Sequence, residues 1–231
     1  MKVLIAVLSC HTLRHYEQTI RDTWAHDTPP EVDLRFFLGK PQSGIRVVDE
    51  IFLNVDDSWD GITEKSVAVC KWALEQGYDA VLKVDLDTLV RPVALLSAGL
   101  EQFDYVGGEN SQNGLSFASG GAGYWLSRRA AEAKLNFPAT RGPAEDVHTA
   151  QALLAAGIRL HPDPRFKFIP GQSLEPEDLT MHLSSVVSWS TKYRPEWMHE
   201  AYAATGSWHP PYEPIPGQGP DYVQRRFLRR K

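Results

Sequence analysis

The sequence lacks long apolar runs, a disulfide framework and an excess of positive charge. Its first apolar stretch, residues 2–9, is much shorter than the ~20 residues that a membrane-spanning helix needs, and no signal-peptide cleavage pattern follows it. Cys10 and Cys70 are the only cysteines, which favours a reducing compartment, although one bridge between them stays open. The net charge of -5 does not favour a nucleic-acid partner. These features predict a globular cytoplasmic protein that binds no nucleic acid.

Basic residues are concentrated at the end of the chain, in RRFLRRK at residues 225–231. We interpret residues 216–231 as a mobile, solvated tail. The alternative is peripheral contact with anionic lipid headgroups, at the inner face of a membrane, which contributes ~1 kcal/mol for each basic residue near such a surface.

The rest of the chain, residues 1–215, is predicted to form one α/β domain, because 42% of the residues are hydrophobic and strand patterns alternate with helical ones. From about Pro162 the pattern weakens, and this part is predicted to wrap over the core. Strands are predicted at residues 2–9, 33–39, 47–57, 81–84 and 103–111. Helices are predicted at residues 14–26, 63–76, 128–135 and 145–156, the second and fourth ended by a glycine.

The stretch LKVDLDTLV, residues 82–90, ends a predicted strand with two carboxylates. Unpaired charges are costly in a dry core, so a cation or a reacting group is expected beside them. One chemistry is nucleotide-sugar transfer, in which Asp87 binds a divalent cation that bridges two phosphates and Asp85 orients the ribose or the metal's water shell. Another is phosphoryl transfer of the haloacid-dehalogenase type, with Asp85 as the nucleophile. The third interpretation is a solvated loop, since D-x-D alone is a weak signal.

The order of several further segments resembles glycosyltransferase family 31, the β1,3-galactosyltransferase and Fringe-like enzymes. The resemblance extends over roughly residues 1–160, and it disfavours the phosphatase, whose motif normally lies on the first strand and carries a Gly that is missing here. The segments that carry it are TIRDTW at 19–24, FFLG at 36–39, DSWDGITEK at 57–65, LKVDLDTLV at 82–90, FASGGAGYWLS at 117–127 and AEDV at 144–147.

This resemblance implies a GT-A-like fold, a mixed and mostly parallel sheet flanked by helices, and a bound Mn²⁺ or Mg²⁺. Asp85 and Asp87 match the family's D-x-D, with Asp87 as the direct metal ligand. His182 is the best-placed histidine to complete the metal shell, ahead of His161 and His199. Leu86 replaces the family's middle acid, and strand alternation predicts that it points away from the metal.

The resemblance also assigns Asp146 as the general base and Glu145 as a supporting contact. An inverting transfer needs a carboxylate that takes the proton of the acceptor hydroxyl. From the residues alone, the favoured explanation is that both acids cap the helix that they begin.

Contacts to the donor nucleotide sugar are expected from the first strand, the following helix and the glycine-rich segment, residues 117–127. Glycines allow the backbone to approach the donor sugar closely. The donor-side candidates are Ser9, Thr12, Arg21, Lys83, Gly120 and Gly121.

Together these features predict a metal-dependent inverting glycosyltransferase that moves a hexose from a UDP-sugar to a hydroxyl of a glycan or glycolipid, with a β1,3 linkage. Two other functions stay open. One is an Mg²⁺-dependent phosphatase, and the other is a protein that binds sugar nucleotides without turnover.

Overall fold

The structure, a computed structural model, describes residues 1–41, 47–142, 144–169, 171–186, 193–204 and 206–209. In chain order, its strands are β1 (Val3–Leu8), β2 (Val32–Leu38), β3 (Glu50–Phe52), β4 (Ala80–Asp85), β5 (Thr88–Val90), β6 (Tyr105–Gly107), β7 (Glu109–Gln112), β8 (Leu115–Ala118), β9 (Tyr124–Ser127), β10 (His161–Pro162), β11 (Phe166–Lys167) and β12 (Thr180–His182). Its α-helices are α1 (Glu17–Arg21), α2 (Ile62–Glu75), α3 (Pro92–Leu96), α4 (Arg128–Leu135), α5 (Glu145–Ala155) and α6 (Pro195–Ala203).

A seven-stranded sheet with the order β10-β6-β9-β4-β1-β2-β3 forms the centre of the fold. All neighbours in it run parallel except β9, which is antiparallel to both β4 and β6. The predicted mixed, mostly parallel sheet flanked by helices is confirmed.

The two central strands, β1 and β4, deliver the polar residues that follow them to one edge of this sheet. Every residue of β1 is buried, as expected for a strand covered on both faces. The parallel register pairs Leu8 with Asp85, so both strands end at the same level. In open α/β sheets this carboxyl edge is where ligands bind.

A second, three-stranded sheet with the order β11-β12-β5 lies beyond the end of β4. Only two residues, Leu86 and Asp87, separate β4 from β5. Because β12 pairs antiparallel with β5 and places His182 opposite Thr88, a strand from late in the chain meets the end of β4.

Short-range signals predicted three of the helices well. Helix α4 has the predicted bounds, and its Ser127 Oγ accepts a hydrogen bond from the Ala130 amide as an N-cap. Helices α2 and α5 are each followed by a glycine with a positive φ, Gly77 at 75° and Gly157 at 74°.

The single helix predicted at residues 14–26 is wrong. The structure has two 3₁₀ turns, Arg14–Tyr16 and Trp24–Asp27, with the short helix α1 between them. Thr23 interrupts the helix: its Oγ1 donates to the Thr19 carbonyl at 2.6 Å, and its backbone leaves the helical region at φ -126° and ψ -118°.

The chain after Pro162, which is predicted to wrap over the core, also contributes side chains to it. Phe166, Met181, Trp197 and Trp208 belong to the main hydrophobic cluster together with residues of β1 and β4. The predicted tail at residues 216–231 lies outside the described residues. Within the described part of the chain, no helix has the length and apolar character to cross a bilayer.

Candidate functional site

A cavity of about 800 Å³ opens at the carboxyl edge of the central strands. Its walls come from the loop after β1, the segment at 57–65, the end of β4, the glycine-rich segment, the start of α5 and the region around β12. The structure therefore brings to one cavity nearly all the residues that the sequence predicts for the site. They are Ser9, Thr12, Lys83, Asp85, Asp87, Gly120, Gly121, Glu145, Asp146 and His182.

Thr88 fixes the turn that carries the two aspartates. Its Oγ1 accepts a hydrogen bond from the Asp85 amide at 3.1 Å and donates to the Gly121 carbonyl at 2.7 Å. The Leu183 amide donates to the Asp87 carbonyl at 2.9 Å. These bonds hold the turn between the glycine-rich segment and β12.

Asp87 and His182 form a close pair in the cavity wall. His182 Nε2 lies 3.2 Å from Asp87 Oδ2. Burial raises the pKa of Asp87, but the neighbouring imidazole outweighs it, so the net pKa lies below its usual range. The other two histidines named above lie elsewhere: His161 stacks on the ring of Phe103 and His199 lies on α6.

Lys83 links the two acidic sides of the cavity. Its Nζ lies 2.8 Å from Asp85 Oδ1 and 3.5 Å from Glu145 Oε2, and it donates to the Gly120 carbonyl at 2.9 Å. Burial lowers the pKa of Lys83, but the two carboxylates outweigh it and raise the pKa above its usual range. Asp85 is thus held by a lysine, whereas Asp87 faces the imidazole.

Glu145 is a fully engaged, buried carboxylate. Its Oε1 accepts hydrogen bonds from Lys134 Nζ at 2.8 Å, from Ser66 Oγ at 2.6 Å and from the Tyr124 hydroxyl. Although burial raises its pKa, the charges of Lys134 and Lys83 outweigh burial and lower the pKa far below the usual range. This carboxylate supports its surroundings and has little capacity left to take a proton from a ligand.

Asp146, the next residue, has the opposite character. Its Oδ2 accepts a hydrogen bond from the Gly120 amide at 3.2 Å, and its Oδ1 one from the Val147 amide at 2.8 Å. Burial, followed by the charge of Glu145, raises its pKa above the usual range. A half-buried carboxylate with a raised pKa suits the role of a general base.

In the glycine-rich segment, packing and backbone conformation explain the glycines at positions 121 and 123. A Cβ on Gly121 would lie less than 3.0 Å from three atoms of the His182 ring. Gly123 has a φ of 81°, which side-chain residues rarely adopt. Contacts within the protein therefore require glycine at these two positions, whether or not a donor sugar also approaches them.

Of the three donor-side candidates before β2, Ser9 and Thr12 line the cavity and Arg21 does not. The Ser9 hydroxyl donates to Glu17 Oε1 at 2.6 Å, and Thr12 is exposed at the cavity wall beside Cys10. Arg21 is not brought to the cavity. Its guanidinium donates to Asp49 and Glu17 at 2.9 Å, so it stabilises the region around α1.

Leu86 belongs to the main hydrophobic cluster and is 6% exposed, while part of it lines the cavity. An acid at this position would place a third carboxylate beside Asp85 and Asp87 against an apolar wall. The packing explains why the chain carries leucine where the resembled family carries an acid.

Sequence reasoning gave no role to Asp57 and Lys65, although both belong to the quoted DSWDGITEK segment. Asp57 accepts hydrogen bonds from the Gly39 amide at 2.5 Å, the His11 amide at 2.6 Å and Lys65 Nζ at 2.6 Å. Lys65 also donates to the Ser9 carbonyl at 2.7 Å. The pair ties together the loops that follow β1 and β2.

Two aromatic residues of the cavity also escaped sequence reasoning. Trp59 is 68% exposed at the cavity wall, which is unusual for a tryptophan. Tyr193 is buried, and its hydroxyl has no hydrogen-bond partner in the described part of the chain. Burial, and then the charge of Asp87, raises the pKa of Tyr193 well above its usual range. No local sequence pattern specifies whether a single aromatic residue is exposed or buried. The sequence therefore gave no signal that Trp59 and Tyr193 line the cavity.

Among the residues that the structure describes, no three His, Cys, Asp or Glu side chains come together to enclose a metal ion by themselves. Of the three predicted ligands, Asp87 and His182 adjoin each other, and Asp85 is held by Lys83. The protein offers a carboxylate and an imidazole to a cation, and other ligands would have to come from a bound molecule or water.

Comparison with solved structures finds proteins whose overall fold is similar to that of this chain. The glycosyltransferase GlyE of Streptococcus pneumoniae TIGR4 matches with a TM-score of 0.52 and 13% identity, over 88% of this chain and 60% of GlyE. A CMP:2-keto-3-deoxy-manno-octonic acid synthetase complexed with CTP matches with a TM-score of 0.48 and 12% identity, over 71% of this chain and 89% of that one. No protein-family model matches the sequence, and no curated protein matches it either.

Proposed function

We propose that this protein is a metal-dependent inverting glycosyltransferase that moves a hexose from a UDP-sugar to a hydroxyl of a glycan or glycolipid. One observation carries the proposal. Two adjacent glycines separate the Asp87 and His182 pair from the carboxylate of Asp146 in a single cavity: Gly121 packs on His182, and Gly120 binds Asp146. This arrangement supports the proposal, because a ligand in the cavity could contact a cation held by Asp87 and His182 on one side and the carboxylate of Asp146 on the other.

The charge of the cavity supports a cation-assisted mode of binding. Five carboxylates line the described cavity against two lysines, and each of those lysines is already paired with an acid. A diphosphate would be repelled here without a cation. Asp87 and His182 would hold Mn²⁺ or Mg²⁺, whose remaining ligands would be phosphate oxygens and water. When bound, the cation neutralises the diphosphate as it departs.

Asp146 performs the proton transfer. The acceptor oxygen bonds to the anomeric carbon while the bond from that carbon to the diphosphate oxygen breaks, and the electron pair of the broken bond leaves with the diphosphate. The acceptor proton passes to Asp146, whose two hydrogen bonds to backbone amides fix its orientation. Glu145 and Lys134 hold the start of α5, and with it Asp146, in place.

The acceptor enters on the side of Trp59, which offers an exposed aromatic face to a sugar ring. The ordered motifs shared with glycosyltransferase family 31 are the reason for naming a UDP-hexose as donor and β1,3 as the linkage. Ser9 and Thr12 follow β1 at the cavity wall, and this position alone is the reason for proposing them as contacts to the nucleotide.

The test combines calorimetric titration with UDP and transfer assays over a panel of UDP-hexoses and glycan acceptors. In the parent protein, UDP binding is expected with Mn²⁺ or Mg²⁺ and not with chelator. Asp87→Ala is expected to lose metal-dependent binding of UDP. Asp146→Asn is expected to bind UDP normally and to transfer sugar on the order of 10²- to 10⁴-fold more slowly, because only the base is removed.

Asp22→Asn is the matched control, since Asp22 is an exposed carboxylate outside the cavity. It is expected to behave as the parent in both assays. Transfer at the parent rate by Asp146→Asn contradicts the assignment of the base. Hydrolysis of phosphomonoesters without sugar transfer would favour the phosphatase, and UDP binding without any turnover would favour a binding protein.

A further inference from the structure

Tyr193 lies in the wall of the cavity, two residues before the start of helix α6. It is 8% exposed, and its ring packs edge-to-face against Tyr16 at a centroid distance of 5.0 Å. Tyr193 also belongs to the main hydrophobic cluster. The ring is therefore fixed in place, and the direction of its hydroxyl is set by packing.

The hydroxyl of Tyr193 is buried without a hydrogen-bond partner among the described residues. A buried hydroxyl that binds nothing destabilises the folded protein, and phenylalanine would fill the same space without that cost. The core packing thus accounts for the ring but not for the oxygen. Because Tyr193 lines the cavity, a molecule bound there can supply the partner that the described residues do not.

The position of Tyr193 indicates the chemistry of that partner. It shares the cavity with Asp87 and His182, where the proposed function places the cation and the diphosphate. A phenol stays protonated at neutral pH and can donate to an anionic oxygen without adding charge to the site. Phosphate oxygens are the acceptors that a cation would bring to this part of the cavity.

We propose that Tyr193 is a ligand-binding residue whose hydroxyl donates a hydrogen bond to a phosphate oxygen of the nucleoside diphosphate bound beside Asp87 and His182. This inference rests on the proposed function and adds to it a donor from the region after β12. Negative charge increases on the diphosphate as the sugar leaves, so the bond strengthens during the reaction.

The test compares the parent with Tyr193→Phe by calorimetric titration with UDP and with uridine, both in saturating Mn²⁺. Loss of one hydrogen bond to a charged group is expected to weaken UDP binding by about tenfold or more. Uridine lacks phosphate, so its affinity should not change. The melting temperature without ligand should stay the same or rise, because an unpaired buried hydroxyl is removed.

Tyr202→Phe serves as the matched control, since Tyr202 lies on α6, the helix that follows Tyr193, and its hydroxyl donates to Asp27 outside the cavity. It should bind UDP as the parent does. If Tyr193→Phe binds UDP with parent affinity, or if its melting temperature falls markedly, the hydroxyl has no ligand role and the inference is overturned. If the parent itself binds no UDP with Mn²⁺, the result contradicts the proposed function, and the inference that rests on it is contradicted as well.

Discussion

At the scale of single residues, the buried pair of Lys134 and Glu145 is the most demanding feature of the site. The side chain of Lys134 is 0% exposed and that of Glu145 is 4% exposed, with 2.8 Å between Nζ and Oε1. Two charges so far from water are costly, and here each stabilises the other, Ser66 and Tyr124 add hydrogen bonds, and Lys83 adds a second cation near Glu145. Lys134 escaped sequence reasoning, although it follows Ala130 by four residues on the buried face of α4.

Lys134→Met is expected to lower the free energy of unfolding by about 3–5 kcal/mol, because it leaves the charge of Glu145 buried without its closest cation. Urea unfolding at neutral pH measures the change. The double variant Lys134→Met with Glu145→Gln should recover part of the loss. Lys71→Met, which removes an exposed lysine beside Glu75, should cost no more than about 1 kcal/mol. Equal losses in the two lysine variants would contradict the argument.

The same pair gives the stability a defined dependence on pH. The pKa of Glu145 is depressed in the folded protein, so its contribution is present above the pKa of an unfolded glutamate, about 4.3, and is lost as pH falls further. In that acid range the unfolded chain binds a proton that the folded one does not. The acid decline in stability should accordingly be shallower in the double variant than in the parent.

At the scale of elements, the contact between the glycine-rich segment and β12 determines where His182 lies. Gly121→Ala would push a methyl group into the His182 ring. We expect UDP binding with Mn²⁺ to weaken more than tenfold and the free energy of unfolding to fall by about 1–3 kcal/mol, a typical cost of overpacking. Calorimetric titration and urea unfolding measure the two effects.

Gly206→Ala is the control for this change, because a Cβ there meets nothing within 4 Å. A double variant shows whether the effect passes through His182. If it does, Gly121→Ala combined with His182→Ala should bind UDP no more weakly than His182→Ala alone. Additive losses would mean that the methyl group acts on the ligand directly.

The elements that the sequence predicted correctly are those with local signals. Helix α4 has its serine cap, α2 and α5 have their terminal glycines, and β4, predicted at residues 81–84, extends by one residue at each end to Ala80–Asp85. The pairing of His182 with Thr88 has no local signal, because the register between β5 and β12 depends on strands far apart in the chain. The resemblance supplied His182 as a candidate, and the structure supplied its contact with Asp87.

Other parts of the site were missed because they depend on partners that no pattern specifies. Arg21 matched a motif, yet Asp49 and Glu17 occupy its guanidinium. Thr23 lies in a segment with helical spacing, and the bond of its hydroxyl to the backbone ends the helix. For Arg21, tertiary ion pairs prevented the contact with the donor that the motif predicts. For Thr23, a side-chain bond to the backbone ended the helix that the spacing predicts.

At the scale of the whole molecule, both ends of the described chain contribute to one core. The main cluster contains residues of β1 and β4 together with a C-terminal group: Phe166, Phe168, Leu174, Leu179, Met181, Leu183, Tyr193, Trp197, Met198 and Trp208. Each large apolar side chain contributes about 1.5–3 kcal/mol when buried. The summed contribution of this group therefore exceeds the whole free energy of unfolding of a typical domain.

A fragment of residues 1–160, the part that carries the family resemblance, is therefore expected not to fold. Near-ultraviolet circular dichroism should show no fixed aromatic environment, and urea unfolding should show no cooperative transition. A chain that ends at residue 209 keeps all the core contacts described above and should fold and bind UDP as the full chain does. A cooperatively folded 1–160 fragment would contradict this expectation, because it would show that these residues form a stable core without the C-terminal group.

The contact between Asp87 and His182 joins residues that are 95 positions apart. During synthesis the chain leaves the ribosome from its N-terminus, so the central strands and the proposed base at the start of α5 emerge well before β12. Contacts over such separations also form late in refolding, because they close the longest loops. The proposed cation site can consequently form only after β12 has been synthesised, whereas the proposed base is already present in the chain before that point.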